Sequence, residues 1–181
     1  PVVIKPFMSK IPSGDGFIPT SIIYARDEYE LDCQVMHNPV LVHPFLIQEK
    51  ISGEGTGLFT LFDGQNHLAL FCHKRLREKP PMGGVSVVSE SISIDAAMVE
   101  SSRKLLQAVG WEGIAMVEYK RDISDGIPKL MEINGRFWGS LQLSISAGVD
   151  FPALLVEYIY GRRDFPDLGR YRSGYWACSI I

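Results

Sequence analysis

The sequence predicts an α+β fold in which a mainly antiparallel sheet carries packed helices. Two Asp-Gly pairs, Asp63-Gly64 and Asp125-Gly126, each lie between apolar segments, a pattern typical of β-hairpins. Helical stretches fall between the strands without the regular strand–helix alternation of a parallel sheet. The 181 residues suit one domain or two small subdomains, and 46% hydrophobic with 22% charged residues is a globular composition.

The first third of the chain predicts strands around one helix. The stretch SKIPSGDG, residues 9–16, combines Pro, Gly, Ser and Asp and predicts a mobile loop. Asp27 is an N-cap for a helix that runs to about residue 37, where Asn38-Pro39 ends it. Apolar, β-branched segments predict strands over residues 2–5, 21–25 and 45–51.

The remaining chain predicts two hairpins and three helices. Asp95 caps a helix that ends before Gly110, because glycine readily supplies the left-handed C′ position. Two short helices follow over residues 141–147 and 152–160, the second opened by Pro152. The hairpin strands are residues 58–62 with 67–74 and residues 114–119 with 129–133. Residues 52–57 connect the strand over residues 45–51 to the first hairpin, a loop is predicted over residues 80–84, and a strand over residues 85–88.

Charge and cysteine content argue against several classes of protein. The net charge is −3 with acids and bases intermixed, whereas nucleic-acid-binding proteins usually carry a basic stripe. Cys33, Cys72 and Cys178 lack CxxC spacing and indicate a reducing compartment, without disulfide or zinc. No apolar run reaches the length of a membrane span and no signal peptide is evident. We therefore expect a cytoplasmic protein with no nucleic-acid or membrane partner.

The second hairpin carries the most specific chemistry. Alternate residues of a strand face one side, so Glu132, Asn134 and Arg136 should line one face, and Glu118 can lie beside Glu132 on the neighbouring strand. Carboxylate and amide oxygens suit Mg²⁺ (or Mn²⁺) when substrate phosphates supply the other ligands. An adjacent arginine suits a transferring phosphoryl group. The alternative is the solvated face of an ordinary sheet.

This hairpin resembles a known motif in the run Glu132-Ile133-Asn134-Gly135-Arg136, with Glu118 fourteen residues upstream. The pattern E-[MIV]-N-x-R belongs to the metal-binding hairpin of the ATP-grasp superfamily, and biotin carboxylase and the large chain of carbamoyl-phosphate synthase are closest in pattern. The resemblance extends over most of the chain, with the motifs in the family's order. It implies the ATP-grasp fold, with Glu118, Glu132 and Asn134 as metal ligands.

The resemblance also implies ATP-binding residues upstream. Lys5 lies in a P-V-V-I-K-P run similar to the family strand whose lysine contacts ATP phosphates, and residues 9–16 match the position of a glycine-rich loop over those phosphates. Residues 45–53 resemble the hinge strand that holds adenine. The implied adenine contacts are Gln48, Glu49, Lys50 and Ile51, with the Glu49 carbonyl accepting and the Ile51 N–H donating.

Two further segments concern the ribose and the phosphates. Relatives often have a ribose-binding carboxylate where this chain has Thr56; Glu54 is the nearest acid, and an ordinary turn is the alternative there. The run from His73 to Glu78, HKRLRE, resembles a subgroup of carboxylate–amine ligases in which basic residues face phosphates or an anionic acceptor. Lys74 is the first candidate for that role and Arg75 the second, and a solvated strand end is the alternative.

The activity implied by the resemblance is ATP- and Mg-dependent ligation of a carboxylate to an amine, or to a thiol, through an acyl phosphate. Arg136 and Lys74 are the implied catalytic residues, and Lys5 and Arg136 would offset phosphate charge. Small-molecule carboxylates and amines are the expected partners, and a homodimer is one expected assembly. A nucleotide-binding module without ligase activity and a purely structural α+β domain are the alternatives.

The start of the chain predicts a piece of a longer protein. Pro1-Val2-Val3-Ile4-Lys5 is already a buried-strand pattern with no lead-in, and the family's N-terminal subdomain has no counterpart here. We expect residues 1–181 to be an ATP-grasp fragment, with about 1–50 from a central or lid subdomain and about 51–181 forming the C-terminal subdomain. We expect the fragment alone to bind ATP weakly and to lack full activity.

Overall fold

The computed structural model describes residues 1–79, 85–165 and 169–178. The chain forms two compact units, Pro1–Ile51 and Ser52–Ile181. Every strand pair within the described residues is antiparallel, and helices pack on the sheets. The predicted α+β class is therefore confirmed.

The first unit contains a three-stranded sheet with β1 in the centre. Asp27 caps the helix as predicted, because its carboxylate accepts the Glu30 N–H at 2.8 Å. A 3₁₀ helix that the sequence did not predict, Pro39–Val42, follows this helix. The elements are β1 (Val2–Pro6), β4 (Ile23–Ala25), α1 (Glu28–His37) and β5 (Phe45–Glu49).

The predicted loop over residues 9–16 is wrong for most of its length, since residues 10–13 form one strand of a two-stranded ribbon and residue 16 begins the other. Strands β2 (Lys10–Ser13) and β3 (Gly16–Pro19) pair with each other. Gly14 has a φ of 54°, the left-handed conformation that a tight two-residue turn needs. Composition hid this ribbon because Pro12 argues against a strand, although proline is tolerated where a strand has an unpaired edge.

The second unit is built on a six-stranded sheet with the order β10-β9-β6-β7-β8-β11. Both predicted hairpins are confirmed, as β6 pairs with β7 and β9 pairs with β10. The short β11 was not predicted. The strands are β6 (Gly53–Asp63), β7 (His67–Lys79), β8 (Val85–Ile92), β9 (Glu112–Asp122), β10 (Pro128–Asn134) and β11 (Trp176–Cys178).

Helices cover both faces of this sheet. On one face, α2 (Ala96–Ala108) packs through Met98 and Leu106 against alternate strand residues. On the other, α3 (Leu141–Ala147) and α4 (Phe151–Ile159) pack against the intervening residues. The predicted caps are confirmed: the Asp95 carboxylate accepts two N–H groups at the start of α2, and Gly110, just beyond its end, has a φ of 60°.

Strand β6 starts five residues earlier than predicted, because Gly53, Gly55 and Gly57 belong to it. The strand pairs with β9 along its whole length. Gly55 and Gly57 lie on the face opposite α2, where neighbouring side chains fill the space above them. A Cβ on Gly55 would lie 2.9 Å from Arg75 Cδ, and one on Gly57 would lie 3.1 Å from His73 Nε2. Glycine here marks close approach of side chains, and not a loop.

The predicted loop over residues 80–84 lies outside the described residues. In the described part of the chain, no helix combines the length and the apolar character needed to cross a membrane.

Candidate functional site

The hairpin of β9 and β10 brings together the three predicted metal ligands. Glu118 and Glu132 are register partners, so their side chains lie on one face of the sheet. The Asn134 Nδ2 donates to Glu118 Oε1 and to Glu132 Oε1, at 3.2 Å in each case. Three oxygen-bearing side chains therefore meet at one point.

A β-bulge at Met131 produces this arrangement. Leu130 pairs with Tyr119, but the next paired residue, Glu132, lies opposite Glu118. If pairing continued without the bulge, Met131 would oppose Glu118, and Glu132 would lie one position out of register with it. Bulges commonly redirect side chains beside functional sites, and this one aligns the two carboxylates.

Arg75 is a basic residue that reaches Glu118, one of these carboxylates. Its Nη2 donates to Glu118 Oε2, and its Nη1 lies 3.4 Å from Glu78 Oε1. The side chains of Arg75 and Glu118 are 10% and 9% exposed, so water screens the pair poorly. A buried carboxylate needs a partner of opposite charge, and the guanidinium compensates the charge of Glu118.

Lys74 lies on the opposite face of the sheet. Neighbouring residues of a strand point to opposite sides, and Lys74 shares its face with Thr56, which contacts Met98 of α2. The Lys74 Nζ lies 3.1 Å from Glu90 Oε2 of β8. The structure thus does not bring Lys74 together with Glu118, and its catalytic role stays a prediction.

Sequence reasoning placed Lys74 ahead of Arg75. The available signal was strand alternation, which puts only one of two adjacent residues on the carboxylate face. Using it required the register of β7, β6 and β9 relative to one another, and the sequence alone does not supply that register.

Arg136 follows β10 directly and is exposed. Its Nη2 lies 3.5 Å from Asn134 Oδ1, and its Nη1 donates to the Phe137 carbonyl at 2.9 Å. Gly135 between them has no room for a side chain, because a Cβ would lie 2.2 Å from the Trp111 ring. Arg136 therefore lies beside the predicted ligand amide and remains accessible to an anion.

The donor set fits a hard divalent cation. Rotation of the Asn134 amide would place its Oδ1 where Nδ2 now contacts Glu118 and Glu132. Three acceptor oxygens at that spacing would repel one another unless a cation lay between them. Among the described residues, no group of three His, Cys, Asp or Glu side chains could hold a metal ion, and the predicted set combines two carboxylates with the amide of Asn134.

The predicted adenine hinge lies in the first unit, on the edge strand β5. The Lys50 N–H donates to the Pro1 carbonyl at 3.2 Å, so the backbone of Lys50 faces β1. Antiparallel alternation then directs the backbone groups of Glu49 away from β1, and the same alternation predicts this for Ile51. A carbonyl and an N–H two residues apart, both directed away from β1, would suit the donor–acceptor edge of adenine, and the adenine contact stays a prediction.

The other predicted ATP contacts divide between the units. In the first unit, Lys5 and Gln48 share one face of the sheet, since Lys5 opposes Leu46 and Gln48 opposes Val3. Lys50 lies 5.3 Å from the Tyr24 ring centroid, a cation–π distance. In the second unit, Glu54 is exposed at the start of β6, and strand alternation places it on the face of Lys74 and not on that of Glu118.

Comparison with known families shows the family to which the chain belongs. A family model described as "ATP-grasp in the biosynthetic pathway with Ter operon" matches residues 42–175, well over half of the chain. This chain belongs to the ATP-grasp family. The resemblance drawn from the metal-binding hairpin and the ordered upstream motifs is confirmed.

Solved structures have the same fold as this ATP-grasp chain. L-amino acid ligase from Bacillus licheniformis matches with a TM-score of 0.63 at 20% identity, over 96% of this chain and 42% of that one. The biotin carboxylase domain dimer of Hydrogenobacter thermophilus 2-oxoglutarate carboxylase, in complex with MgADP, ADP and bicarbonate, matches with a TM-score of 0.64 at 18% identity, over 97% and 40%. Biotin carboxylase from Campylobacter jejuni, as a β-γ-ATP complex, matches with a TM-score of 0.63 at 14% identity, over 97% and 40%.

The ATP-grasp chain spans only about two-fifths of the length of these structures. None of the curated protein sequences compared with it matches significantly.

Proposed function

We propose that this ATP-grasp chain supplies the metal-binding part of a ligase that joins a carboxylate to an amine at the expense of ATP. The observation that carries the proposal is the convergence of Glu118, Glu132 and Asn134, with Arg75 and Arg136 beside them. Such a set can hold a divalent cation and offset phosphate charge at one place.

Each residue has a distinct part in the proposed reaction. Glu118, Glu132 and Asn134 would hold Mg²⁺, which when bound neutralises phosphate oxygens of ATP. Arg136 is exposed beside the ligands and would stabilise the γ-phosphoryl group of ATP as the substrate carboxylate attacks it, ADP leaves and an acyl phosphate forms. The amine then displaces phosphate from the acyl phosphate, so no nucleophile on the protein is needed.

Arg75 takes a supporting part in this proposal. Its guanidinium balances one oxygen of Glu118 and leaves the other directed at Asn134. This fixes the orientation of a buried carboxylate in advance, and such preorganisation lowers the cost of binding a cation. For Lys74, on the other face of the sheet, the proposed role is a second contact to a phosphate or to an anionic acceptor.

The first unit would hold the nucleotide. Lys5 would contact phosphates, and the outward backbone groups of Glu49 and Ile51 would bind adenine, with Gln48 and Lys50 beside them. Glu54 is the proposed ribose contact. The amine as acceptor, the homodimer, the cytoplasmic location and the lack of nucleic-acid and membrane partners stay predictions.

The test is ADP release by the full-length protein with a panel of carboxylates, each with and without amines. We expect ADP release that depends on both substrates and equals the amide formed. Glu132→Gln should reduce turnover by about 100-fold or more, while Glu100→Gln, an exposed control on α2, should leave it unchanged. Unchanged turnover in Glu132→Gln would overturn the ligand assignment, and MgATP binding without ADP release for any substrate would leave only a nucleotide-binding module.

A further inference from the structure

His73 lies on the carboxylate face of the sheet, with one strand between it and Glu118. It opposes Gly57 of β6, and Gly57 opposes Glu118 of β9. The His73 side chain is 1% exposed, and its Nε2 would lie 3.1 Å from a Cβ on residue 57. The imidazole therefore occupies the room that the missing side chain of Gly57 leaves.

The buried imidazole is neutral at physiological pH. Burial, with a smaller contribution from the charge of Arg75, lowers the pKa of His73 to about 3. Its Nδ1 lies 3.2 Å from Ser140 Oγ, whereas its Nε2 has no hydrogen-bond partner in the parts of the chain that the structure describes. Since a hydroxyl can donate or accept, the bond to Ser140 forms with either neutral tautomer.

Ser140 occupies the N-cap position of α3 but does not cap the helix. A serine there usually accepts an N–H from the first turn, and this side chain makes no such bond. Its hydroxyl contacts His73 instead. The bond thus ties the turn between β10 and α3 to strand β7.

That turn has two buried anchors, Trp138 and Ser140; residues 135, 136, 137 and 139 are exposed. The Trp138 ring lies 4.3 Å from the Phe59 ring, and the Phe59 ring lies 4.6 Å from the His73 ring in an edge-on arrangement. Both anchors therefore end on the same patch of the sheet. Arg136, which lies between ligand Asn134 and these anchors, has no buried anchor of its own.

We propose that His73 is a positioning residue that acts through Ser140 to hold the turn bearing Arg136 in register with the metal-binding hairpin. The inference rests on the proposed ligase function, because it assigns Arg136 a task in phosphoryl transfer. Trp138 holds the turn on the sheet by apolar packing, which is tolerant of small shifts, while the directional His73–Ser140 bond sets its orientation. Small misplacements of a catalytic group can cost large factors in rate.

The bond should influence catalysis more than binding. Glu118 and Glu132 are held by strand pairing, which does not involve Ser140. We therefore expect loss of the bond to lower kcat about ten-fold and to leave the KM for MgATP within about two-fold. If the bond only stabilised the fold, its loss would lower the thermal midpoint, and turnover would fall only because less of the protein is folded.

Two substitutions of His73 distinguish the contributions of its two ring nitrogens. An Asn amide can take the place of Nδ1, and a longer Gln amide the place of Nε2. In the full-length protein, His73→Asn should keep most of the wild-type kcat, whereas His73→Gln and Ser140→Ala should each lose about ten-fold. The double variant His73→Gln/Ser140→Ala should lose no more than either single variant. Equal losses for Asn and Gln, or additive losses in the double variant, would overturn the inference.

Hydrogen exchange of peptides covering residues 135–143 gives a readout that needs no turnover. Exchange should be faster in His73→Gln and Ser140→Ala than in His73→Asn and the wild type. If the wild type turns over no substrate, the proposed function fails, and unchanged exchange in all three variants would separately overturn the link between His73 and the turn. Ser140→Ala removes a single oxygen, so it keeps the test decisive if the His73 variants fold poorly.

Discussion

The Arg75 guanidinium donates to the Glu118 carboxylate across an intervening strand, since β6 separates β7 from β9. Gly55 of β6 allows this reach, because a Cβ there would lie 2.9 Å from both Arg75 Cδ and Glu78 Oε1. A glycine in the middle of a sheet weakens the strand, and here it makes room for an ion pair instead of a side chain. The pair places positive charge beside the proposed metal ligands before any cation binds.

Replacing Arg75 with Gln should lower the free energy of unfolding by about 3 kcal/mol, because Glu118 would stay buried without its guanidinium partner. Lys74 is the matched control on the other face: its pair with Glu90 is partly exposed, so Lys74→Gln should cost less than about 1 kcal/mol. Urea denaturation of both variants measures the difference. Similar losses in the two would contradict the special position of Arg75.

Replacing Asn134 with Asp should make the stability of the protein depend on a divalent cation. The Asn134 amide donates to both carboxylates, and an Asp would set a third carboxylate against them. We expect the thermal midpoint of Asn134→Asp to rise by about 5 °C more than that of the wild type when MgCl₂ replaces NaCl at equal ionic strength. Asn66→Asp, in the turn of the first hairpin, should show no such gain. An equal response of both variants would argue against a metal site here.

Replacing Ile51 with Pro should weaken ATP binding about ten-fold, because proline removes the N–H that the proposed hinge offers to adenine. Ile51→Ala keeps the N–H and should bind nearly as well as the wild type. Glu49→Ala should also have little effect, since the backbone carbonyl makes the contact. Isothermal titration of the full-length variants with MgATP, after a check of their folding, measures these affinities. Equal losses for Pro and Ala would count against backbone recognition.

The stability of the second unit should fall as the pH drops below about 6.5, in part through His73. Its pKa is about 3 in the folded protein and near 6.5 when unfolded, so between these values only the unfolded chain takes up the proton. This contribution is fully present above pH 6.5 and is lost at up to about 1.4 kcal/mol per pH unit between pH 6.5 and 3.

The control for this pH effect is His73→Asn, which cannot be protonated. Its free energy of unfolding should fall less steeply than that of the wild type from pH 6.5 to 4, as measured by denaturant titration at each pH. Parallel curves for the two proteins would mean that His73 titrates normally in the folded state.

Local chemistry was enough to predict most elements of this protein. Asp27 and Asp95 begin helices because a carboxylate can accept the N–H groups of the first turn, which is a contact within four residues. The two Asp-Gly pairs predicted the hairpins because the turn signal, like a helix cap, lies within a few neighbouring residues. Segments whose composition suggests a loop were predicted wrongly, as with the ribbon over residues 10–19 and the glycines at the start of β6.

The sequence by itself determined the family and the α+β class, and it predicted which residue types of the hairpin would serve as ligands, since these follow from short patterns and their order. Only the tertiary structure decided which residues meet. The bulge at Met131 aligns Glu132 with Glu118, and the register across three strands brings Arg75, and not Lys74, to that carboxylate. Register depends on packing between strands distant in sequence, and a shift of one residue moves a side chain to the other face of the sheet.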